Sequence, residues 1–498
     1  MDNLKQYTFW FVVGSQDLYG DATLQQVSEH AKHMVAGIAK DPQLPGTLVL
    51  MPTVLTHAGI RKLFEEANAD SACAGIITWM HTFSPSKMWI SGLAINRKPI
   101  LHLHTQYNRD IPWATIDMNF MNLNQSAHGD REHGFIHARM RLPRKIVVGH
   151  WEDPDVRRKI GVWMRAAAAA ADGSRTTVVR WGDNMREVAV TEGNKVSAQI
   201  QFGWQVNGWG IGDLAKGISQ ISDQDVESLV KEYQVRYEFS PGITTNENAI
   251  KAIREQARYE LAMKGFLDSQ HAKAFTTTFQ NLHGLNQLPG LAVQRLMEQG
   301  YGFGAEGDWK TAQLVRAVKL MAAGLPGGSS FMEDYTYHLE PGKEAVLGAH
   351  MLEICPSIAG QKPRIEVHPL GIGGKNDPAR MVFDAASGPA VLASLIDLGD
   401  RFRLVVNEVE SIRIPEPMPK LPVARVLWKP YPNLKDAAES WILAGGAHHA
   451  AFSQAITPEY LRDWAEIMGI ELVLINKQTD PVRLRDELRW AEAYWSRR

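Results

Sequence analysis

Cysteine is almost missing from this chain: there are two in 498 residues, Cys73 and Cys355, both inside apolar runs. That excludes a disulfide framework and fits buried thiols in a reducing compartment. Long hydrophobic runs are missing too, since none approaches the ~18 residues needed to cross a bilayer. The apolar block Tyr7 to Val13 follows no basic leader and precedes no small-residue cleavage site, so a cytoplasmic protein is expected. Nor is there an excess of charge. Lys plus Arg number 53 against 55 Asp plus Glu, a formal net charge of -2, and nothing calls for a nucleic-acid or anionic membrane partner. The expected partner is a small molecule.

Nucleotide fingerprints are absent as well. GSQDLYG (Gly14 to Gly20) lacks the glycines of a dinucleotide-binding turn, which disfavours a nicotinamide cofactor. GIGGK (Gly371 to Lys375) lacks the spacing of a phosphate loop and reads as an ordinary turn or a loop closing over a ligand. No internal repeat or low-complexity linker divides the chain.

What is present is an alternation of apolar strands with amphipathic helices. Strands are expected over Tyr7 to Val13, Leu48 to Met51, Gly75 to Met80, Ile100 to His104 and Lys145 to Gly149. Helices are expected over Ala22 to Lys40, Ala58 to Ala67 and Pro85 to Ile95. Near-continuous apolar strands between helices predict a doubly wound parallel sheet covered on both faces, whose ligands gather beyond the carboxyl ends of the strands. GSQDLYG, the segment His81 to Lys87 and the segment His104 to Asn108 fall there. His102 and His104, two apart on one strand, face the same side and could chelate or serve the core.

A boundary is expected near Asp172 to Arg175, and a second α/β portion follows. Its features are a strand from Val178 to Trp181, a hairpin turn at Glu192-Gly193-Asn194 and a helix from Asp223 capped by Ser222. Beyond Gly324 the texture changes to short strands on hairpin spacing, which suggests an antiparallel sheet or barrel before helices return after Pro422. The expected organisation is an α/β protein of three domains, at residues 1–175, 176–327 and 328–498.

Glu306 and Glu333 sit beside glycines and aromatics between Tyr301 and His350, and His448 and His449 follow the Gly445-Gly446 turn. Carboxylate oxygens with imidazole nitrogens and no thiolate suit a fairly hard divalent ion such as Mn²⁺ and leave positions open for a polyol. Residue types alone leave a second reading open, in which the glutamates are solvated turn residues and the histidines structural.

The motifs GSQDLYG, HTFSPSKMWI, FMNLNQSAHGDRE, GDNMREVAVT, TTTFQNLHGLNQLPGLAVQRLM, GYGFGAEGDWK, SFMEDYTYH, HMLEICPSI, LGIGGKNDPAR and LAGGAHH, in this order from about residue 7 onward, resemble the bacterial L-arabinose isomerase family. The resemblance implies isomerisation of L-arabinose to L-ribulose in a three-domain subunit like that of L-fucose isomerase. It implies metal ligands at Glu306, Glu333, His350 and His449, with Mn²⁺ the expected ion and Co²⁺ or Mg²⁺ as substitutes. It places sugar contacts at Gln16, Leu18, Tyr19, Phe83, Met185, Phe279, Ile372 and His448, with His128, read as lying in a polar loop, reaching in from a neighbouring subunit of a homohexamer built from two trimers. Glu306 and Glu333 are the expected acid/base pair acting through a cis-enediol. Conversion of D-galactose to D-tagatose is compatible with the same site. An isomerase of another aldose such as L-fucose, and a sugar-binding protein without chemistry, are the alternatives.

Overall fold

Residues buried on both sides of a strand must all be apolar or small, and Thr8–Gly14 and Cys73–Met80 meet that demand almost without exception. The computed structural model describes residues 4–495, which divide into two compact units. The smaller holds residues 4–171 with Arg462–Gly469. Its sheet runs Thr47–Leu50, Thr8–Gly14, Cys73–Met80, Ile100–His104, Lys145–Val148, with all strands parallel. This is the doubly wound domain the alternation predicts. Helix His57–Ala69, capped by Thr56, brings Ile60, Leu63, Phe64 and Ala67 into one core with Trp10, Val12 and Ile76.

The larger unit holds Asp172–Leu461 with residues 470–495. A parallel sheet ordered Gly302–Ala305, Ala272–Thr277, Thr177–Trp181, Gln205–Trp209 forms its first part. The antiparallel barrel expected downstream is present. Six strands follow round as Gly388–Asp397, His449–Ser453, Ser329–His338, Ala345–Ala349, Arg425–Pro430 and Phe402–Ile412, and pairing of the last with the first closes the ring. Glu471–Ile475 adds in parallel outside it. Met332, Val346, Leu392, Val405, Val426, Trp428 and Phe452 share the core cluster here, so strand alternation turns Phe331 and Glu333 away from that cluster.

Two local expectations need correction. Glu192-Gly193-Asn194 is no hairpin turn: Asn194 accepts a hydrogen bond from the Ser197 amide and caps helix Lys195–Phe202. The same Gly-Asn chemistry serves either purpose, and the helix that follows decides it. His128, expected in a polar loop, lies in the first turn of helix Ser126–Arg139, whose polar face hid its periodicity. Ser222, by contrast, caps helix Asp223–Arg236 as expected.

The pair His102 and His104 serves the fold. Both bond the buried Asp130 carboxylate, at 2.9 and 2.8 Å. Behind them His133 and His137 are fully buried, with ring centroids 4.4 Å apart. Burial first, then the neighbouring histidine and arginine charges, holds His133 well below the usual imidazole range; burial puts His137 at about 4. An unfolded chain binds protons at these positions from about pH 6.5 downward while the folded one does not, so stability falls as pH drops from about 6.5 to about 4. Each such imidazole contributes up to about 1.4 kcal/mol per pH unit in that window. Thermal melts between pH 7 and 4 should therefore show a falling Tm, with a shallower fall in His137→Leu. An identical slope in that variant contradicts the assignment.

Candidate functional site

Glu306 stands at the carboxyl end of the parallel strand Gly302–Ala305, where ligands of α/β sheets collect. Helix Trp309–Met321 lies so close to that strand that a Cβ on Gly302 would meet the Ala312 carbonyl oxygen at 2.1 Å, and one on Gly304 the Asp308 oxygen at 2.2 Å. Only glycine fits at either position. In the turn between strand and helix Glu306 itself has φ of 60°, a left-handed backbone that an ordinary side chain adopts at a cost of ~1–3 kcal/mol. Asp308 ends the turn. Its carboxylate accepts from the Thr311 amide at 3.2 Å and the Thr311 hydroxyl at 2.7 Å, capping the helix.

The barrel supplies the other groups from three neighbouring strands. Glu333 lies opposite His449 on one side and Ala349 on the other, and His350 directly follows Ala349. His350 Nε2 is 3.8 Å from a Glu333 oxygen, and His449 Nε2 is 3.7 Å from a Glu306 oxygen. The four expected residues therefore form two imidazole–carboxylate pairs. The fully buried Phe331 turns its ring edgewise to both imidazoles, with centroids 5.1 and 5.2 Å away.

A further carboxylate holds each ring from behind. His350 Nδ1 bonds Glu353 at 2.5 Å and His449 Nδ1 bonds Asp308 at 3.2 Å. With Nδ1–H donated to a carboxylate, Nε2 is left as a lone-pair donor. His449 Nε2 is buried and has no hydrogen-bond partner among the described residues, as suits a nitrogen that ligates a cation. Glu306, His448 and His449 offer ligand atoms within 4.8 Å of one another. The chemistry of this donor set, carboxylate and imidazole without sulfur, fits a divalent metal ion.

Charge follows burial and proximity. Burial, reinforced by Glu306, raises the Glu333 carboxyl even though His350 and His449 pull it down. Burial alone would lower His350, but Glu353 and Glu333 outweigh it and the ring is raised. Against burial, Lys310 and His449 hold Asp308 far below the usual carboxylate range. Burial, with His449 beside it, brings His448 down to about 4, so it is neutral near pH 7. Asp334, next to Glu333 but on the opposite side of the strand, is pushed up by burial to about 7.

A cavity of about 30 Å³ is lined by Phe279, Phe303, Glu306, His350 and Glu353 among others. A larger one, about 190 Å³, is lined by Asp334, Trp428, Trp441 and His448 among others. The smaller holds a Glu–His–Glu set and is the one next to the chemistry. Met185 donates its amide to the Glu306 carbonyl at 2.9 Å, and Phe279 reaches the smaller cavity, so both expected sugar contacts stand at the site. Ile372 is half-buried and lines neither cavity.

The remaining expected contacts lie in the smaller unit, around the carboxyl ends of Thr8–Gly14 and Cys73–Met80, where the strand order reverses. Gln16 leads into the turn Asp17–Tyr19, where Leu18 is 83% exposed. Phe83 stacks on His128 with centroids 5.0 Å apart, and the Ser15 and Thr82 hydroxyls hydrogen-bond to each other at 2.6 Å. Sequence reasoning missed Asp308, Glu353, Phe331 and Lys310. Asp308 and Glu353 sit two and three residues after a ligand candidate, the only signal available to find them.

Three family models match in succession: the L-arabinose isomerase N-terminal domain over residues 3–175, the central domain over 177–324 and the C-terminal domain over 328–471. The L-arabinose isomerase of Thermotoga neapolitana is 64% identical over 495 residues, 99% of each chain. Those of Anoxybacillus flavithermus and Geobacillus stearothermophilus are each 61% identical, again over 99% of both chains. With these carboxylates and imidazoles paired as described and 99% of its length matched to those relatives, the chain belongs to the L-arabinose isomerase family.

Proposed function

We propose that the protein is a metal-dependent aldose–ketose isomerase that converts L-arabinose to L-ribulose through a cis-enediol, and that it also takes D-galactose to D-tagatose. The observation that carries this reading is the pairing of His350 with Glu333 at 3.8 Å and of His449 with Glu306 at 3.7 Å, on two imidazoles that share the Phe331 ring. The subunit is read as three domains, at residues 1–175, 176–327 and 328–498, in a cytoplasmic homohexamer of two trimers. Gln16, Leu18, Tyr19, Phe83 and His128 line the sugar site in that assembly, along with Met185, Phe279, Ile372 and His448.

Glu306, Glu333, His350 and His449 would hold the ion, Mn²⁺ or in its place Co²⁺ or Mg²⁺. When bound, such an ion would supply Lewis acidity against the negative charge that develops on the substrate oxygens. The rest falls to the chain's own groups. Moving the carbonyl from C1 to C2 requires one proton to leave C2 and one to arrive at C1, while the hydroxyl hydrogen passes from O2 to O1. One of the two glutamates takes the C2 proton and returns it to C1 on the same face of the enediol. The other moves the proton between the oxygens. Burial raises the Glu333 carboxyl toward the working pH, which suits a group that must both accept and release a proton. Asp308 and Glu353 keep the imidazoles from swinging, and Phe331 keeps water from their edges.

Replacing either glutamate by Gln keeps the shape and removes the base. Glu306→Gln and Glu333→Gln should each lower kcat for ribulose formation by ~10²-fold or more; near-normal turnover in either contradicts its role. Running the reaction in deuterated water separates proton transfer from a hydride shift. Solvent deuterium at C1 of the product is expected, and its strict absence would overturn the enediol route.

A further inference from the structure

Lys310 is an anomaly of charge. It lies in the first turn of helix Trp309–Met321 and is 1% exposed, so a buried cation faces the positive end of a helix dipole. Four acceptors compensate it. Its ammonium donates to Asp308 Oδ1 at 3.1 Å and to the consecutive carbonyls of Val190, Thr191 and Glu192 at 3.0, 3.2 and 2.6 Å. Gly193 lets the chain pass over it, because a Cβ there would come within 2.9 Å of the Trp309 ring and 3.1 Å of the Lys310 stem. Asp308, the other end of this link, is the carboxylate that orients His449.

The segment 184–192 is thereby tied twice to the turn that carries Glu306. At its start the Met185 amide donates to the Glu306 carbonyl, and the Asn184 side chain donates to the carbonyls of Gly307 and Thr191. At its end three carbonyls share one ammonium with Asp308. Met185, an expected sugar contact, is itself part of the first tie.

We propose that Lys310 is a positioning residue that couples the His449–Asp308 pair to the segment 184–192, so that filling the metal seat and ordering the Met185 segment reinforce one another. This rests on the metal reading above. Loading the ion fixes His449, His449 fixes Asp308, and Asp308 holds the ammonium against the three carbonyls. The same links run in reverse when a sugar orders the segment, because coupling between two sites is reciprocal.

The test uses the full-length protein stripped with chelator. Mn²⁺ binding is followed by electron paramagnetic resonance and amide exchange by mass spectrometry, neither of which depends on turnover. In the wild type, Mn²⁺ should slow exchange across residues 185–192. Lys310→Met should bind Mn²⁺ at least tenfold more weakly, and its segment should exchange at the same rate with and without the ion. Asp308→Asn should weaken Mn²⁺ comparably, and the double variant should be no weaker than the weaker single one, because both residues act through one contact. If Lys310→Met does not give folded protein, Lys310→Gln, neutral and still able to donate, decides by the same readings. A folded Lys310 variant with wild-type Mn²⁺ affinity and a segment still protected by the ion overturns the proposal, as do additive effects in the double variant. A wild-type protein that takes up no Mn²⁺ overturns the metal reading itself, and this coupling with it.

Discussion

Two hydrogen bonds carry the site: the one between His449 Nδ1 and Asp308 and the one between His350 Nδ1 and Glu353. An imidazole ring has two nitrogens, and only by occupying one with a carboxylate does the fold decide which remains a lone-pair donor. Without these bonds the rings would still lie near Glu306 and Glu333, but neither would present Nε2 to them. The orienting carboxylates are themselves fixed. Asp308 caps a buried helix and meets a buried lysine, and Glu353 is 8% exposed and accepts the Leu352 amide.

Two folding problems are solved together to bring these groups into place. A parallel sheet ends at Glu306, and an antiparallel barrel sets Glu333 and His449 on adjacent strands, with His350 directly after a third. Register is the controlling constraint. A slip of one residue between Ser329–His338 and His449–Ser453 would turn Glu333 toward the apolar cluster and Met332 outward. The packing of Met332, Trp428 and Phe452 in that cluster therefore fixes the chemistry on the other side of the strand. On the parallel-sheet side Gly302 and Gly304 do equivalent work by admitting the helix whose first turn carries Asp308 and Lys310.

Much of this is legible in the sequence, for different reasons in different places. The doubly wound unit shows itself because parallel strands buried on both faces leave uninterrupted apolar runs such as TFWFVV and AGIITWM. The hairpin spacing beyond Gly324 announces the barrel. Glu306, Glu333, His350 and His449 emerge from the family resemblance and not from spacing, since ligands on separate strands have no fixed interval. What stays hidden is the orientation of the site. Nothing in GAEGDWK says that Asp308 faces a histidine 141 residues away, or that Lys310 points inward. A lysine in the first turn of a helix is ordinarily solvated. Glu192-Gly193-Asn194 misleads because a turn and a helix cap use the same residue types, and only the position of the next helix tells them apart.

Anomalous diffraction at the manganese edge, from crystals of chelator-stripped protein exposed to Mn²⁺, tests the central claim most directly. The account predicts one peak per chain, ligated by Glu306, Glu333, His350 and His449, with the ring contacts to Asp308 and Glu353 intact. A peak held by Glu306, His448 and His449 without Glu333 and His350, or no peak among these residues, would contradict it.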